Sequence, residues 1–391
     1  MKGIGNDAFH SYYNLNKLPS IIGTSYCHKT NIFNSFAFRC NTLNTKHRTM
    51  RYINSAIFLL TILTLLSVNT MGQKISDKEF YRQLQEDLDL FSTDSLLGEK
   101  VWGLATFSVV NLRGEARHAS ELVSQITMGT PVKLIESTEG WYRVETPEGY
   151  NGWIDTCGLK LATHDEMELW KSLNRYVYNS ISGYAYESPS LKANVAFDVV
   201  LGDIFVARDK KKGFLRVTTP DGRVGFVKEK ECIQWAIWSQ KKPNIQEIIS
   251  TTQKMNGVPY LWGGTSSKAV DCSGLVKIAF FAQGIILERD ASQQARNGEV
   301  VDYTEAANLS PGDLIFFGMS PEKISHVGIY IGNGNYIHSS GYVHINNIDP
   351  NHPNFNFATK KHIVAVRRII NSLNTEGIIE VRNHPWYSFE P

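Results

Sequence analysis

Residues 270–281 read VDCSGLVKIAFF, one cysteine set among small polar residues and followed by a nearly unbroken apolar run. The run reads as a buried helix, which puts Cys272 at or just before its N-terminus. There the unpaired N–H groups and the positive end of the helix dipole favour a thiolate. A thiolate nucleophile also needs a proton acceptor, and residues 325–338, SHVGIYIGNGNYIH, carry two histidines. Strand alternation places Val327, Ile329 and Ile331 toward a core and His326 on the other face. Residues 332–335 are turn formers. A hairpin centred near 332–333 makes His326 and His338 cross-strand neighbours on one polar face. The pattern assigns attack to Cys272, proton transfer to His326 and orientation of that imidazole to His338. A cysteine in such a string is usually only a buried thiol, and the two histidines in this order reverse that reading. His344 raises a three-histidine metal site, but no acidic residue joins at ligand spacing and there is no HExxH. With no GxxxxGK[ST] and no GxGxxG between a strand and a helix, no metal or cofactor is expected.

Working outward, the chain compares with itself. GWYRVETPEGYNGWI (residues 140–154) and GFLRVTTPDGRVGFV (residues 213–227) align at an offset of 73 residues. Each copy is a short strand, a Pro-acid-Gly turn and a second strand, preceded by a further apolar run after a glycine. Several strands within about 60 residues imply one small β-barrel made twice. Pro243 marks the next boundary. Residues 245–254 read as a helix opening the last domain, and 77–90 and 165–173 as short amphipathic helices.

The 391 residues carry 40 Lys+Arg and 38 Asp+Glu, a net charge of +2, which gives no support for a nucleic-acid partner. That charge is unevenly spread. Residues 1–72 hold seven basic residues and one acid, so they are +6 and the remainder is −4. Within them, AIFLLTILTLLSV (residues 56–68) is thirteen residues without a charge, short of the roughly 20 needed to span a bilayer. Arg51 precedes it and small or polar residues follow, which is a secretory signal pattern. Met50 makes a natural start. Residues 1–49 are therefore expected to be a gene-model extension, 50–72 a signal peptide, and the mature protein, starting near Gln73, to be exported with no stable membrane span. Cys157, Cys232 and Cys272 remain in the mature part. Three is odd, and Cys157 and Cys232 are read as buried thiols rather than a disulfide.

DCSG, then PGDLIFF (residues 311–317), then SHVGIYIG and YIH, in that order, resemble the NlpC-type cell-wall cysteine peptidases over about residues 245–370. The two repeats resemble bacterial SH3-like domains. The implied fold is α+β, a papain-like cysteine peptidase domain (243–370) preceded by two small SH3-like β-barrels (98–165 and 174–236), with a helical segment at 73–97 and a tail at 371–391. Ile378, Ile379 and Trp386 suggest that the tail packs on the core. The implied activity is hydrolysis of peptidoglycan stem peptides between γ-D-glutamate and a diamino acid, diaminopimelate or lysine. The arrangement resembles the subgroup acting on freed muropeptides, in which the first SH3-like unit captures the free amino group of an N-terminal L-alanine. Glu121 and Tyr150 are the candidates for that capture, with Glu115 an alternative by chemistry alone. Tyr260 and Trp262 match aromatic wall positions, and Asp271 and Ser273 match substrate-binding positions beside the nucleophile. The ERDASQQ stretch (residues 288–294) resembles a family segment in which Asp290 binds substrate or supports the pocket. Ala291 stands where a substrate-contacting serine is expected, leaving that role to Asp290 or Ser292. The alternatives are an amidase cutting muramic acid from L-alanine and a non-catalytic wall-binding protein.

Overall fold

The computed structural model describes residues 100–355 and 362–388. The expected leader, signal segment and 77–90 helix lie outside them.

The repeat folds as the alternation and turn residues dictate. Trp141–Glu145 pairs antiparallel with Asn151–Asp155, and Phe214–Thr218 with Val224–Lys228. Each hairpin closes on the Pro-acid-Gly turn, whose glycines, Gly149 and Gly222, hold φ of 77° and 89°, a conformation that costs a side-chain-bearing residue energy. Each repeat forms a seven-stranded sheet, the first between Trp102 and Ala162 and the second between Arg175 and Gln234. Both sheets have the same spatial order: third, second, sixth, fifth, fourth, first and seventh strand. Inward-facing Leu112, Val132, Val144 and Ile154 fill the first core, and Val199, Phe205, Leu215, Val217 and Val227 the second. Helix α1 (His164–Ser172) links them. Thr163 and Glu166 form a reciprocal capping box at its start, which fixes where the chain turns from sheet to helix.

In the last domain Asn244 caps helix α2 (Ile245–Lys254), and Asp271 caps helix α3 (Cys272–Phe281). A six-stranded sheet follows, made of β1 (Glu299–Val300), β2 (Leu314–Gly318), β3 (Ile324–Gly332), β4 (Asn335–Ser340), β5 (Tyr342–Asn347) and β6 (His362–Arg368), in the order β1-β6-β2-β3-β4-β5. Leu275, Val276, Ala279 and Phe280 of α3 pack on Val327, Ile329 and Ile337. The opposite face is also covered, by Ile315, Phe317, Tyr330, Tyr336 and Val366. His326 therefore lies on a buried apolar face, not on the open polar face that alternation suggests. The cysteines differ too: all three are free, but Cys157 is exposed and Cys232 only half-buried. Cys157 sits in a one-turn helix closing a strand end, where the thiol faces water.

Two devices lock the first barrel to the peptidase domain. Gln125 and Thr265 exchange three hydrogen bonds, among them Gln125 N–H to Thr265 Oγ1 (3.1 Å) and Thr265 N–H to Gln125 Oε1 (3.1 Å). Gly263 has φ of 78°, and a Cβ there would sit 2.2 Å from the carbonyl oxygen of Leu122. Only glycine permits that approach. The tail adds a third tie. Ile378–Glu380 pairs with Ile285–Leu287, His384 Nε2 lies 2.9 Å from the carbonyl of Pro147 in the first barrel, and Arg175 of the second barrel donates to the carbonyl of Tyr387 (2.9 Å). Residues 371–388 thus pack on the core, as Ile378 and Trp386 suggest, and Trp386 meets Trp102 edge to face at 5.1 Å.

Candidate active site

Cys272 is the first residue of α3, buried, with backbone N–H groups of Val327 and Ser273 directed at its sulfur. The thiol is thus held against the residue that follows His326. Burial pushes it up to about 11, with the Asp271 carboxylate adding to the effect and the two N–H groups opposing it. The helix N-terminus alone favours a thiolate, and the dry setting works against it.

The histidine pair is closer than its strand register suggests. Ile329 faces Ile337 and Tyr330 faces Tyr336, so the turn centres on 333–334, one residue later than expected. This places Gly328 across from His338 and makes His326 its diagonal neighbour. A Cβ on Gly328 would lie 2.7 Å from the Tyr336 ring and 3.2 Å from His338 Cβ. The missing side chain opens the diagonal path, and His326 Nε2 comes within 2.7 Å of His338 Nδ1. His338 Nε2 in turn lies 2.8 Å from Asn346 Oδ1.

Burial holds His338 down at about 4, the Asn346 contact opposing and the nearby His344 assisting. Its charged form is disfavoured in the fold, so its contribution to stability is complete above its ordinary value of 6.5 and is lost as pH falls through about 4. The loss amounts to about 3 kcal/mol. Urea unfolding at steps from pH 7 to 4 should show the native protein losing stability more steeply than His338→Gln, and parallel curves would contradict this.

Asp271 and Ser273 are engaged from within. Asp271 Oδ1 accepts from the Gly274 N–H (2.7 Å) and Oδ2 from the Gly263 N–H (3.0 Å), and both oxygens meet the fork of Arg289. Ser273 Oγ donates to Asp271 and accepts from Arg289 Nη1 (2.9 Å), while Arg289 Nε donates to Ser124 Oγ of the first barrel (3.2 Å). Asp271 has no lone pair left over for a substrate and serves as the clamp on the start of α3 instead. Arg289, 2% exposed, is the residue that the sequence reading passed over. Its signals in the sequence are its place between two acids directly after the apolar Ile285–Leu287 and its membership of the ERDASQQ stretch.

Glu121, Tyr150, Trp262 and Asp290 meet where the first barrel adjoins the peptidase domain. Trp262 Nε1–H donates to Glu121 Oε1 (2.6 Å), bridging the two domains. The Tyr150 hydroxyl donates to Asp290, and its phenol is raised by burial first and by that carboxylate second. Burial likewise raises Asp290, with Arg289 opposing. Glu121, Tyr150 and Asp290 thus share one electrostatic neighbourhood. Glu115 instead forms an exposed ion pair with Arg117 (2.7 Å). Tyr260 stands next to Cys272: burial first, then the sulfur's charge, raises its phenol to about 12. Ser292 is exposed on helix α4 (Ala291–Gln294), and among the described contacts none ties it to this cluster. Two carboxylates, Glu121 and Asp290, beside the Tyr150 hydroxyl are suited to binding a small cation, and a thiol with an imidazole pair is suited to cutting an acyl bond.

The NlpC/P60 family pattern matches residues 257–368 and the bacterial SH3 domain pattern residues 108–159. A γ-D-glutamyl-L-lysine dipeptidyl-peptidase of Bacillus subtilis (strain 168) is 31% identical over 232 residues, covering 55% of this chain and 71% of that protein. One from Bacillus cereus (strain ATCC 10987 / NRS 248) is 28% identical over 265 residues, 65% of this chain and 74% of that protein. The fold is shared with the crystal structure of an NlpC/P60 family protein from Bacillus cereus ATCC 10987, with a TM-score of 0.58 at 23% identity over 68% of this chain and 99% of that one.

Proposed function

The chain belongs to the NlpC/P60 family and is a cysteine peptidase, and from that premise we propose that it hydrolyses the bond between γ-D-glutamate and a diamino acid in peptidoglycan stem peptides whose N-terminal L-alanine is free. The observation that carries the reading is the junction of Glu121 and Tyr150 from the first barrel with Trp262 and Asp290 from the peptidase domain. Trp262 occupies one oxygen of Glu121, and the other remains for an ammonium group. Tyr150, fixed by Asp290, supports the same guest. A substrate anchored there by its first residue offers a bond at a set distance, which is how one end-group fixes the cut.

In the reaction the Cys272 sulfur attacks the γ-carbonyl carbon of D-glutamate as its proton passes to His326. Backbone N–H groups near Cys272, at the start of α3, donate to the oxyanion and stabilise it. Collapse breaks the C–N bond, His326 returns the proton to the departing amine, and a thioester remains. Water, deprotonated by His326, resolves it. The names of the relatives support this bond, and the signal pattern in residues 50–72 supports action outside the cytoplasm, in the periplasm or at the cell wall. No helix among the described residues is long and apolar enough to cross a membrane.

Glu121→Gln keeps the Trp262 contact and removes the charge. KM for L-Ala-γ-D-Glu-L-Lys should rise about tenfold to hundredfold, the worth of a charged hydrogen bond, with kcat changed less. Steady-state kinetics on that tripeptide and on its N-acetylated form test this. An equal effect on both, or none, would remove the role assigned to Glu121.

A further inference from the structure

The hydrogen-bond chain does not stop at His338. Asn346 Nδ2 donates to the carbonyl of Asn354 (2.8 Å), so the oxygen of this amide is the atom turned to His338. A carbonyl oxygen only accepts, so His338 Nε2 must carry the hydrogen. A neutral imidazole has one N–H, which leaves His338 Nδ1 bare. His326 Nε2, 2.7 Å away, must then be the donor of that pair, and the basic lone pair of His326 falls on Nδ1. We propose that Asn346 is a positioning residue of the catalytic relay, its amide oxygen setting the tautomer of His338 and, through it, of His326. This rests on the assignment of His326 as the base for Cys272.

The placement is built for this. Asn346 and His344 lie on β5, paired to β4 so that His338 faces His344 directly. The titratable groups around His338 are His326, Tyr336 and His344, with ring centroids 4.9, 4.9 and 4.4 Å away. His344 Nε2 lies 3.1 Å from the same Asn346 oxygen and its Nδ1 2.8 Å from the carbonyl of Tyr342. Without the Asn346 acceptor, His338 is free to carry its hydrogen on Nδ1. His326 would then accept on Nε2 and hold its hydrogen on Nδ1, which is the tautomer unable to take a proton there.

The test compares Asn346→Leu and Asn346→Asp with native enzyme on L-Ala-γ-D-Glu-L-Lys across pH 5 to 9. Asn346→Leu should lose kcat about tenfold to hundredfold with KM unchanged. Asn346→Asp keeps the acceptor, so it should retain most of kcat, and its negative charge should move the acid limb of the profile to higher pH. A purely structural asparagine would give losses in both variants and no shift of the limb. Nitrogen NMR of the histidines in a Cys272→Ala background reads the tautomers without activity. His338 protonated on Nε2 with Asn346 present, and no longer so in Asn346→Leu, is expected. Full kcat in Asn346→Leu, or unchanged tautomers, would overturn the inference. If Cys272→Ala itself remained active, the parent mechanism would fall instead.

Discussion

Cys272→Ala is expected to lose hydrolysis of L-Ala-γ-D-Glu-L-Lys by at least about 10⁴-fold while unfolding at nearly the same urea concentration as the native protein. Nothing else in the site can form the acyl intermediate, and removing one member of a nucleophile–base pair costs about as much as removing all of them. The fold should hold because the substitution deletes one sulfur atom and leaves Asp271 capping α3 through the Gly274 N–H. The cost is that two N–H groups, of Val327 and Ser273, lose a weak acceptor, on the order of 1 kcal/mol. Activity above a hundredth of native would place the chemistry elsewhere. A large fall in stability would mean that the cysteine is a core thiol first.

The second large effect concerns stability. Arg289 and Asp271 form a buried ion pair with 2% and 9% of their side chains exposed. Arg289→Ala strands the carboxylate in a dry site, which costs about 3–5 kcal/mol. Lysine should not rescue it: the guanidinium fork serves both carboxylate oxygens, Ser273 and Ser124 at once, and a single ammonium cannot. Because Asp271 also caps the helix that begins at Cys272, the loss extends to catalysis. Urea titrations of Arg289→Ala and Arg289→Lys measure it, and a change under about 1 kcal/mol would contradict this account of the pair.

What could be read from the chain alone follows the range of the interactions involved. The helix beginning at Cys272, the two histidines and the twin barrels are written in local pattern: an apolar run after a cap, alternation, and a Pro-acid-Gly turn repeated 73 residues on. The turn centres one residue later than expected, which moves the residue facing His338 from His326 to Gly328; alternation cannot say that this glycine, lacking a side chain, lets the diagonal pair close. The burial that raises the Cys272 thiol is not legible locally, because it depends on residues far along the chain. Asp271 was read as a substrate ligand because its position adjoins the nucleophile, yet Arg289, eighteen residues away, takes up its oxygens. Glu121 is 141 residues from Trp262, and only the docking of the first barrel through Thr265 and Gly263 brings them together.

The proposed function turns on which bond is cut and which end-group licenses the cut. Mass spectrometry of products from a panel of stem peptides, with free and N-acetylated L-alanine, with and without an attached muramic acid, and with lysine or diaminopimelate at the third position, measures both together. The predicted result is L-Ala-γ-D-Glu released from the peptides with a free amino end, and the blocked ones left intact. Release of the whole stem peptide from the muramyl substrates, or equal cutting of free and blocked peptides, would contradict it.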